Sequence, residues 1–340
     1  MQYLYVLSST NQDFYYEQFL LSVTSLNFFT PDADVILLCD IKTKENLIGK
    51  RSNHEKLINK TIIIKAPEDM LQIDISRWLK TSMRSHLSGD FLFIDCDTII
   101  SDDLSSFDKS NIKLGACLDK HSLINKHSKS KEIIRNEKIM GFTSYLSNKH
   151  FNSGVIYCSD TPESYNFFDR WHELWLLCKK KNITRDQTSF NMAIFENQSY
   201  FCELDGIWNC QIAFNGLEYL SNSKIIHNFA SESELIASPL IFDSKEIYFQ
   251  IKENGFISDE LFEYLKKPKE AFINELRIIA GDDALYVISS NLFEMILWLK
   301  RNIPIIYYIL NHFSYITKKI TKFFLINTSR KNNNIKKYYN

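Results

Sequence analysis

The chain has 340 residues, of which 45% are hydrophobic and 14% aromatic. This is enough apolar material for one large α/β domain with an appendage, or for two domains. Its 9 glycines and 6 prolines are too few for a turn-rich all-β sandwich. The seven cysteines are odd in number and form no C-x-x-C pair, which favours buried thiols in a reducing compartment over disulfides or a zinc site.

The net charge of −1 hides an uneven distribution. Residues 300–340 carry nine Lys or Arg and no Asp or Glu, so residues 1–299 carry −10 (−1 − 9). A cationic tail on an acidic body indicates an anionic surface as a partner. The first residues, MQYLYVLSST, show neither the basic segment nor the cleavage site of a secretory signal, and we therefore expect a cytoplasmic protein.

Short apolar strands alternate with amphipathic helices along the first two thirds of the chain. Strand patterns cover 3–7, 35–38, 61–65, 91–94, 113–118 and 153–158, and helical patterns cover 14–27, 76–87, 162–179 and 186–196. The alternation predicts an α/β fold with a mostly parallel sheet flanked by helices. In such sheets, ligands bind at the carboxyl ends of the strands.

Residues 119–147 form a polar stretch between two of these strands. A connection of this length is either functional, as a lid or an acceptor-facing loop, or disordered.

After residue 235 the pattern changes to aromatic-rich helices, which predicts a catalytic domain over 1–235 and a C-terminal helical region over 236–340. Residues 302–317 are uncharged, but they are too short and too polar for a transmembrane helix of roughly 18 or more apolar residues. Residues 316–326 alternate lysines with apolar side chains, a pattern typical of a helix that lies in a membrane interface and binds anionic headgroups. The alternative is an ordinary helical subdomain with a disordered basic end.

The segment LFIDCDTII at residues 92–100 places two carboxylates, Asp95 and Asp97, at the end of a buried strand. Because side chains two residues apart on a strand point the same way, these carboxylates converge. They repel each other unless a cation lies between them, and Mg²⁺ or Mn²⁺ prefers such oxygen ligands. The alternative is that both side chains cap the turn that follows.

Four further segments carry residues suited to a ligand site. FNSGVI, starting at Phe151, puts small and amide residues at the start of a strand, where a ligand can approach the backbone closely. RDQ at 185–187 opens a helix, an apolar strand ends at His227, and Arg77 and Lys80 lie one turn apart on a helix. Each also has a purely structural interpretation: a turn, a helix N-terminal charge, a satisfied histidine, or two solvated cations.

Taken in order, FLFIDCDTII, FNSGVI, RDQTSFN and KIIHNF resemble the motifs of GT-A fold glycosyltransferases, closest to family 8 and related bacterial sugar transferases, over residues 1–235. The resemblance implies Mn²⁺, or Mg²⁺, held by Asp95, Asp97 and His227 and bridging the two phosphates of a UDP-sugar donor. The donor-binding residues that it implies are Ser8, Thr10 and Tyr15 for the nucleotide, Arg77 or Lys80 for the phosphates, and Asn152, Ser153 and Gly154 for the sugar.

In the same resemblance, Asp186 binds sugar hydroxyls and Gln187 lies beneath the anomeric carbon, where its carbonyl stabilises an oxocarbenium-like transition state. The implied reaction moves a hexose to a glycan or lipid-linked acceptor with retention of configuration. It would serve bacterial surface polysaccharide synthesis, with the enzyme peripheral on the inner face of the membrane and without a nucleic-acid partner.

The sequence departs from the family pattern at one point. The family's metal-binding histidine opens an H-x-x-G-x-x-K-P-W motif, whereas Asn228, Phe229 and Ala230 follow His227 here and the next lysine is Lys245. The lysine that usually grips the diphosphate is therefore missing, and Arg77 or Lys80 is the candidate to replace it.

The main alternative is a Mg²⁺-dependent phosphatase of the haloacid-dehalogenase type, whose D-x-D supplies a nucleophile and a metal ligand. In those enzymes the pair ends the first strand, whereas here it follows about 90 residues of α/β pattern, and the other three motifs are left unexplained. A nucleotidyltransferase would need a Gly- and Arg-rich N-terminal loop, which the sequence lacks. A binding module without activity is the remaining alternative.

Overall fold

The computed structural model describes residues 1–68, 70–127, 129–142, 148–212, 214–227, 240–272 and 290–319. The chain forms two compact units, Met1–Phe272 and Ile273–Asn340.

Among the described residues of the first unit, nine strands are present. They are β1 Gln2–Leu7, β2 Asp34–Asp40, β3 Lys60–Ile64, β4 Phe91–Ile94, β5 Thr98–Ile100, β6 Leu114–Leu118, β7 Phe151–Cys158, β8 Phe201–Glu203 and β9 Ile225–His227. Seven form one sheet in the order β3-β2-β1-β4-β7-β6-β8, and β5 pairs with β9. The pairs β1–β2, β2–β3, β1–β4 and β6–β8 are parallel, while β7 runs antiparallel to β4 and β6. The predicted α/β class with a mostly parallel sheet is confirmed.

Helices flank the sheet on both faces. They are α1 Tyr15–Phe29, α2 Ile41–Asn46, α3 Gln72–Ser82, α4 Ser130–Met140, α5 Pro162–Lys180, α6 Gln187–Glu196, α7 Lys245–Asn254 and α8 Asp259–Leu265. Because side chains alternate along a strand, β1 feeds two core layers: Tyr3 and Tyr5 enter one, and Leu4 and Val6 enter the other. The first layer is covered by α1, and the second by α3, α5 and α6.

The polar stretch 119–147 differs from its prediction as a loop or as disorder. It contains α4, an 11-residue helix. The helix buries only Ile133, Asn136 and Glu137, which lie on one face at spacings of three and four. Asn136 donates to the Thr188 hydroxyl of α6 at 3.5 Å. A buried stripe this narrow, with two of its three residues polar, leaves almost no apolar periodicity for the sequence to reveal.

Residues 240–272, which the sequence analysis places in the C-terminal region, pack in the same core layer as α1. Phe242, Tyr248 and Ile251 are buried there, and the Tyr248 ring lies 5.8 Å from that of Phe14.

The described part of the second unit consists of two helices, α9 Asn291–Asn302 and α10 over 304–319. The Ser290 hydroxyl caps α9 by accepting a hydrogen bond from the Phe293 backbone N–H at 3.3 Å, and Pro304 is the first residue of α10. Among residues 290–319 no side chain is fully buried. None of the helices in the described residues combines the length and apolar character that crossing a bilayer demands. Residues 320–326 of the predicted interfacial segment lie outside the described residues.

Candidate active site

Three short strands, β4, β5 and β9, bring the metal-site residues together. β4 ends at Ile94, and the Asp95 backbone N–H donates to the Gly154 carbonyl of β7 at 2.8 Å. The chain then turns through Asp97 into β5, where Thr98 pairs directly with His227 of β9. The β5–β9 pairing therefore fixes the histidine beside the second carboxylate.

Asp95, Asp97 and His227 form a candidate metal centre. One ligand atom from each lies within 4.8 Å of the others, and His227 Nε2 is 3.2 Å from Asp97 Oδ1. The histidine side chain is 3% exposed, whereas those of Asp97 and Asp95 are 27% and 29% exposed, so the carboxylates are partly open to solvent and the imidazole is buried. Two carboxylates and one imidazole suit Mn²⁺ or Mg²⁺ and leave positions for phosphate oxygens.

The electrostatics of this cluster favour the binding of a cation. Burial, reinforced by the charge of Asp97 and partly offset by Lys80, raises the pKa of Asp95 to about 6. Burial opposes the charged form of His227, but Asp97 and Asp95 outweigh it and raise the pKa of the imidazole. Carboxylates crowded in this way are relieved when a divalent ion lies between them.

Lys80 on α3 links the candidate metal centre to Asp186. Its Nζ is 3.0 and 3.1 Å from the two carboxylate oxygens of Asp95 and 3.8 Å from Asp186 Oδ2. Burial works against the ammonium, yet Asp95 and Asp186 together raise the pKa of Lys80. Lys80 is therefore a buried cation that interacts with two carboxylates, those of Asp95 and Asp186.

Asp186 lies directly before α6 and holds several partners at once. Its carboxylate accepts from the Ser153 hydroxyl at 3.0 Å and lies 3.8 Å from Arg77 Nε. Burial opposes ionisation, but the charges of Lys80 and Arg77 outweigh it and lower the pKa of Asp186. Gln187 is the first residue of α6, and its side-chain amide makes no hydrogen bond to another described residue.

The direction of β7 brings Asn152, Ser153 and Gly154 to this site. Because β7 runs antiparallel to β4, its first residues lie beside the carboxyl end of β4. Gly154 is required by close packing: a Cβ there would lie 2.2 Å from Cε1 of His227. Asn152 is buried, and its side-chain oxygen accepts from the Gly154 backbone N–H at 2.8 Å.

The loop after β1 carries Ser8 and Thr10. The Ser8 hydroxyl is buried and bonds to the Gln72 carbonyl at the start of α3 at 3.3 Å, while Asp13 accepts from the Thr10 backbone N–H at 2.6 Å. Tyr15 begins α1 and is half exposed. Burial and the carboxylates of Asp13 and Asp97 raise the pKa of its phenol, so the ring lies within the field of the metal-site carboxylates.

Three contributors to this architecture were missed by the sequence analysis. Asn209 Oδ1 lies 2.9 Å from His227 Nδ1, and Asp119 accepts from Asn152 at 2.9 Å. Arg51, paired with Glu17 at 2.8 Å, donates to the Thr10 carbonyl at 2.6 Å. None belongs to a recognisable motif; a buried polar residue in an apolar neighbourhood, such as Glu17 inside the core face of α1, was the one signal available.

Comparison with known proteins gives one family match. Residues 90–236 match the sequence model of glycosyl transferase family 8. No curated protein sequence matches the chain.

Several solved structures are similar at low identity. Apo mouse xyloside xylosyltransferase 1 is 13% identical, with 67% of this chain and 97% of that chain covered and a TM-score of 0.47. The galactosyltransferase LgtC, solved with donor and acceptor sugar analogs, is 14% identical, with 77% and 99% covered and a TM-score of 0.48. GlyE of Streptococcus pneumoniae TIGR4 is 14% identical, with 80% and 65% covered and a TM-score of 0.45.

The matched segment contains the candidate metal centre, the first residues of β7 and the start of α6. The fold and this site thus lie in a chain whose residues 90–236 are similar to glycosyl transferase family 8. The resemblance to GT-A fold enzymes of family 8 that the sequence predicts is confirmed.

Proposed function

We propose that this chain is a metal-dependent, UDP-sugar-using hexosyltransferase that acts with retention of anomeric configuration. The observation that carries the proposal is the convergence of Asp95, Asp97 and His227, whose ligand atoms lie within 4.8 Å of one another. Such a centre at the carboxyl edge of an α/β sheet is suited to a nucleoside diphosphate.

Asp95, Asp97 and His227 would hold Mn²⁺ or Mg²⁺, which when bound neutralises the leaving diphosphate. Arg77 is the better of the two candidate cations for direct phosphate contact, because its side chain is 20% exposed whereas that of Lys80 is 11% exposed. Lys80 would instead keep Asp95 and Asp186 at a fixed separation. This would fix the distance between the metal centre and the sugar site.

The sugar would lie between the start of β7 and the start of α6. Asp186, kept ionised by Lys80 and Arg77, accepts hydrogen bonds from sugar hydroxyls, and Ser153 lies beside it. Asn152 and Gly154 are on the opposite face of β7, where the buried Asn152 amide bonds to Gly154 and Asn209, so these two residues would contribute to the sugar site through the backbone of the strand. Ser8, Thr10 and Tyr15 would bind the nucleotide, with the half-exposed Tyr15 ring available to stack on uracil.

In the proposed reaction, the bond between C1 and the diphosphate oxygen breaks, and its electron pair leaves on that oxygen. The acceptor hydroxyl oxygen forms the new bond to C1 on the same face, and its proton passes to the departing diphosphate. The Gln187 side chain has no partner among the described residues, so its carbonyl is available to stabilise positive charge at C1.

The acceptor in this proposal is a glycan or lipid-linked sugar of bacterial surface polysaccharide synthesis, reached from the inner face of the membrane. Support comes from the second unit, whose described residues include exposed Ile305, Tyr308 and Phe313 together with exposed Lys318 and Lys319. Aromatic and basic side chains together suit an anionic headgroup region.

A donor screen tests the catalytic part. The full chain is incubated with a panel of UDP-sugars, with Mn²⁺ or with a chelator, and UDP release is measured without acceptor. We expect metal-dependent release from one or a few hexose donors, falling by at least about 100-fold in Asp97→Ala.

The exposed aspartate Asp108, which among the described residues bonds only to neighbouring Ser110, provides the matched control, and Asp108→Ala should leave the rate unchanged. Hydrolysis of p-nitrophenyl phosphate without UDP release would support the phosphatase alternative and contradict the proposal.

A further inference from the structure

A line of buried amide side chains runs from the candidate metal centre into the interior. His227 Nδ1 lies 2.9 Å from Asn209 Oδ1, Asn209 Nδ2 donates to Asn152 Oδ1 at 3.0 Å, and Asn152 Nδ2 donates to Asp119 Oδ1 at 2.9 Å. All four side chains are buried. Buried amides in such a line have their donor and acceptor ends fixed by their neighbours.

The backbone fixes the orientation of the first amide. The Gly154 N–H can only donate, and it donates to Asn152 Oδ1 at 2.8 Å. Asn152 therefore faces Asn209 with its side-chain oxygen, and the Asn209 NH₂ group must be the donor of the hydrogen bond between them. The Asn209 oxygen is then left facing His227 Nδ1. A carbonyl oxygen cannot donate, so Nδ1 must carry the hydrogen.

The far end of the line gives the same orientation independently. The Lys129 backbone N–H donates to His127 Nδ1 at 3.0 Å, which places the His127 hydrogen on Nε2, 2.9 Å from Asp119 Oδ2. Burial opposes ionisation of Asp119, yet the hydrogen bonds from His127 and Asn152 help to lower its pKa. Asp119 is thus an acceptor at both oxygens, and Asn152 can only turn its NH₂ group toward it.

We infer that Asn209, oriented by Asn152 and Asp119, holds His227 as the Nδ1–H tautomer and so leaves Nε2 as the nitrogen that faces the cation. This inference rests on the proposed metal site. Asn209, Asn152 and Asp119 are in this respect positioning residues. With the opposite tautomer, Nε2–H would point its hydrogen at the ion, and Nδ1 would face an oxygen that it cannot bond.

The test reads the tautomer directly in the metal-free protein. Long-range ¹H–¹⁵N correlation spectra of ¹⁵N-histidine-labelled full chain are recorded at alkaline pH, and the His227 signals are assigned by their loss in His227→Gln. We expect a protonated Nδ1 in the wild type, whether or not Nε2, which lies 3.2 Å from Asp97 Oδ1 in the metal-free protein, also carries a hydrogen. A wild-type spectrum of the Nε2–H tautomer overturns the inference without any further variant.

Two substitutions of Asn209 test whether its side-chain oxygen, the acceptor opposite His227 Nδ1, is the group that matters. Asn209→Ala removes this oxygen and should move His227 toward the Nε2–H tautomer. The Mn²⁺ affinity, measured by calorimetry, should fall roughly 10- to 100-fold. Asn209→Asp keeps an oxygen opposite Nδ1 and should retain the Nδ1–H tautomer. An unchanged tautomer and affinity in Asn209→Ala, or loss of Nδ1–H in Asn209→Asp, contradicts the inference.

A matched truncation controls for the loss of an amide. Asn27 donates to the Val23 and Leu57 carbonyls, at 2.9 Å each, on α1, and Asn27→Ala should alter neither the tautomer nor the affinity. Failure of the proposed function can be distinguished from failure of this inference. A wild-type protein that binds no Mn²⁺ would contradict the proposed metal site, whereas the metal-free spectrum would still show whether Nδ1 of His227 carries the hydrogen.

Discussion

At the scale of single residues, Asp95 makes metal binding dependent on pH. Its pKa is raised to about 6, chiefly by burial, and the pKa of His227 is raised by its carboxylate neighbours. As the pH falls through about 6, Asp95 takes up a proton and loses its capacity as an anionic ligand. The His227 imidazole must also lose its proton to bind the ion, and its raised pKa means that this proton is already taken up near neutral pH. We therefore expect the Mn²⁺ affinity to fall from neutral pH downward, by about tenfold per unit for each of the two groups that is protonated.

Calorimetric titrations with Mn²⁺ between about pH 5 and pH 8 measure this dependence. Repeating them in buffers of different ionisation enthalpy counts the protons that binding releases. An affinity that stays constant from pH 7 down to pH 5 would show that Asp95 is not a ligand.

Gly154 provides a second test at this scale. A methyl group there would lie 2.2 Å from His227 Cε1 and 2.8 Å from Asn152 Oδ1, so Gly154→Ala must displace the imidazole. We expect Mn²⁺ affinity to fall at least tenfold and the free energy of unfolding to fall by about 1–3 kcal/mol. Calorimetry and urea denaturation measure the two effects.

Gly115 of the neighbouring strand β6 is the matched control. A Cβ there would meet Leu204 Cδ2 at 2.7 Å, which is overpacking of the same kind away from the metal centre. Gly115→Ala should lower stability but leave Mn²⁺ affinity unchanged. Equal loss of affinity in both variants would mean that general destabilisation, not the position of His227, is responsible.

At the scale of elements, a buried ion pair joins α1 to the loop after β1. Arg51 Nη2 lies 2.8 Å from Glu17 Oε2, with side chains 7% and 0% exposed, and Arg51 also donates to the Thr10 and Asp13 carbonyls. Glu17→Ala leaves the guanidinium buried without its counter-charge. We expect a loss of about 3–5 kcal/mol in the free energy of unfolding, measured by urea denaturation, together with weaker UDP binding because the loop loses its anchor.

The Lys44–Glu55 pair gives a comparison, because its side chains are 33% and 57% exposed. Glu55→Ala should have a far smaller effect, since water already solvates both charges. If the two substitutions cost the same, Arg51 and Glu17 do not hold the loop.

The pattern of buried residues decides which helices and strands could be predicted from the sequence. β4 was predicted with its observed bounds, Phe91–Ile94, because a continuous apolar run followed by Asp95 leaves little ambiguity. The helix α5 was equally clear from its stripe of buried aromatic residues, including Trp171 and Trp175.

The direction of β7 was not predictable from its own sequence, because an all-buried strand reads the same in parallel and antiparallel pairing. Its antiparallel course is what places Ser153 beside Asp186. Asn209 was missed for a different reason. Its role depends on the pairing of the segment after it with β9, through the Cys210 N–H and the Ile225 carbonyl at 2.8 Å, and no local pattern encodes that contact.

At the scale of the whole molecule, residues 1–299 carry a net charge of −10 and residues 300–340 a net charge of +9. In the proposed function the first segment binds the donor and the second, the cationic tail, binds the anionic membrane. Vesicle flotation tests the tail: the full chain should float with vesicles that contain phosphatidylserine and much less with pure phosphatidylcholine. Removal of residues 300–340 should abolish flotation, and Lys318→Gln with Lys319→Gln should weaken partitioning by roughly 30-fold, from about 1 kcal/mol per lysine. Flotation that survives the truncation, or that does not weaken as salt is raised, would refute membrane binding through the tail.

The proposed function requires one ion that is shared between the protein and a nucleoside diphosphate. Calorimetric titration of UDP into the full chain, with and without Mn²⁺, measures this directly. We predict that UDP binds in the presence of Mn²⁺, that the chelated protein binds it far more weakly, and that Asp95→Ala and Asp97→Ala abolish the metal-dependent part. UDP affinity that is the same with and without Mn²⁺, or that is unaffected by both substitutions, would contradict the account.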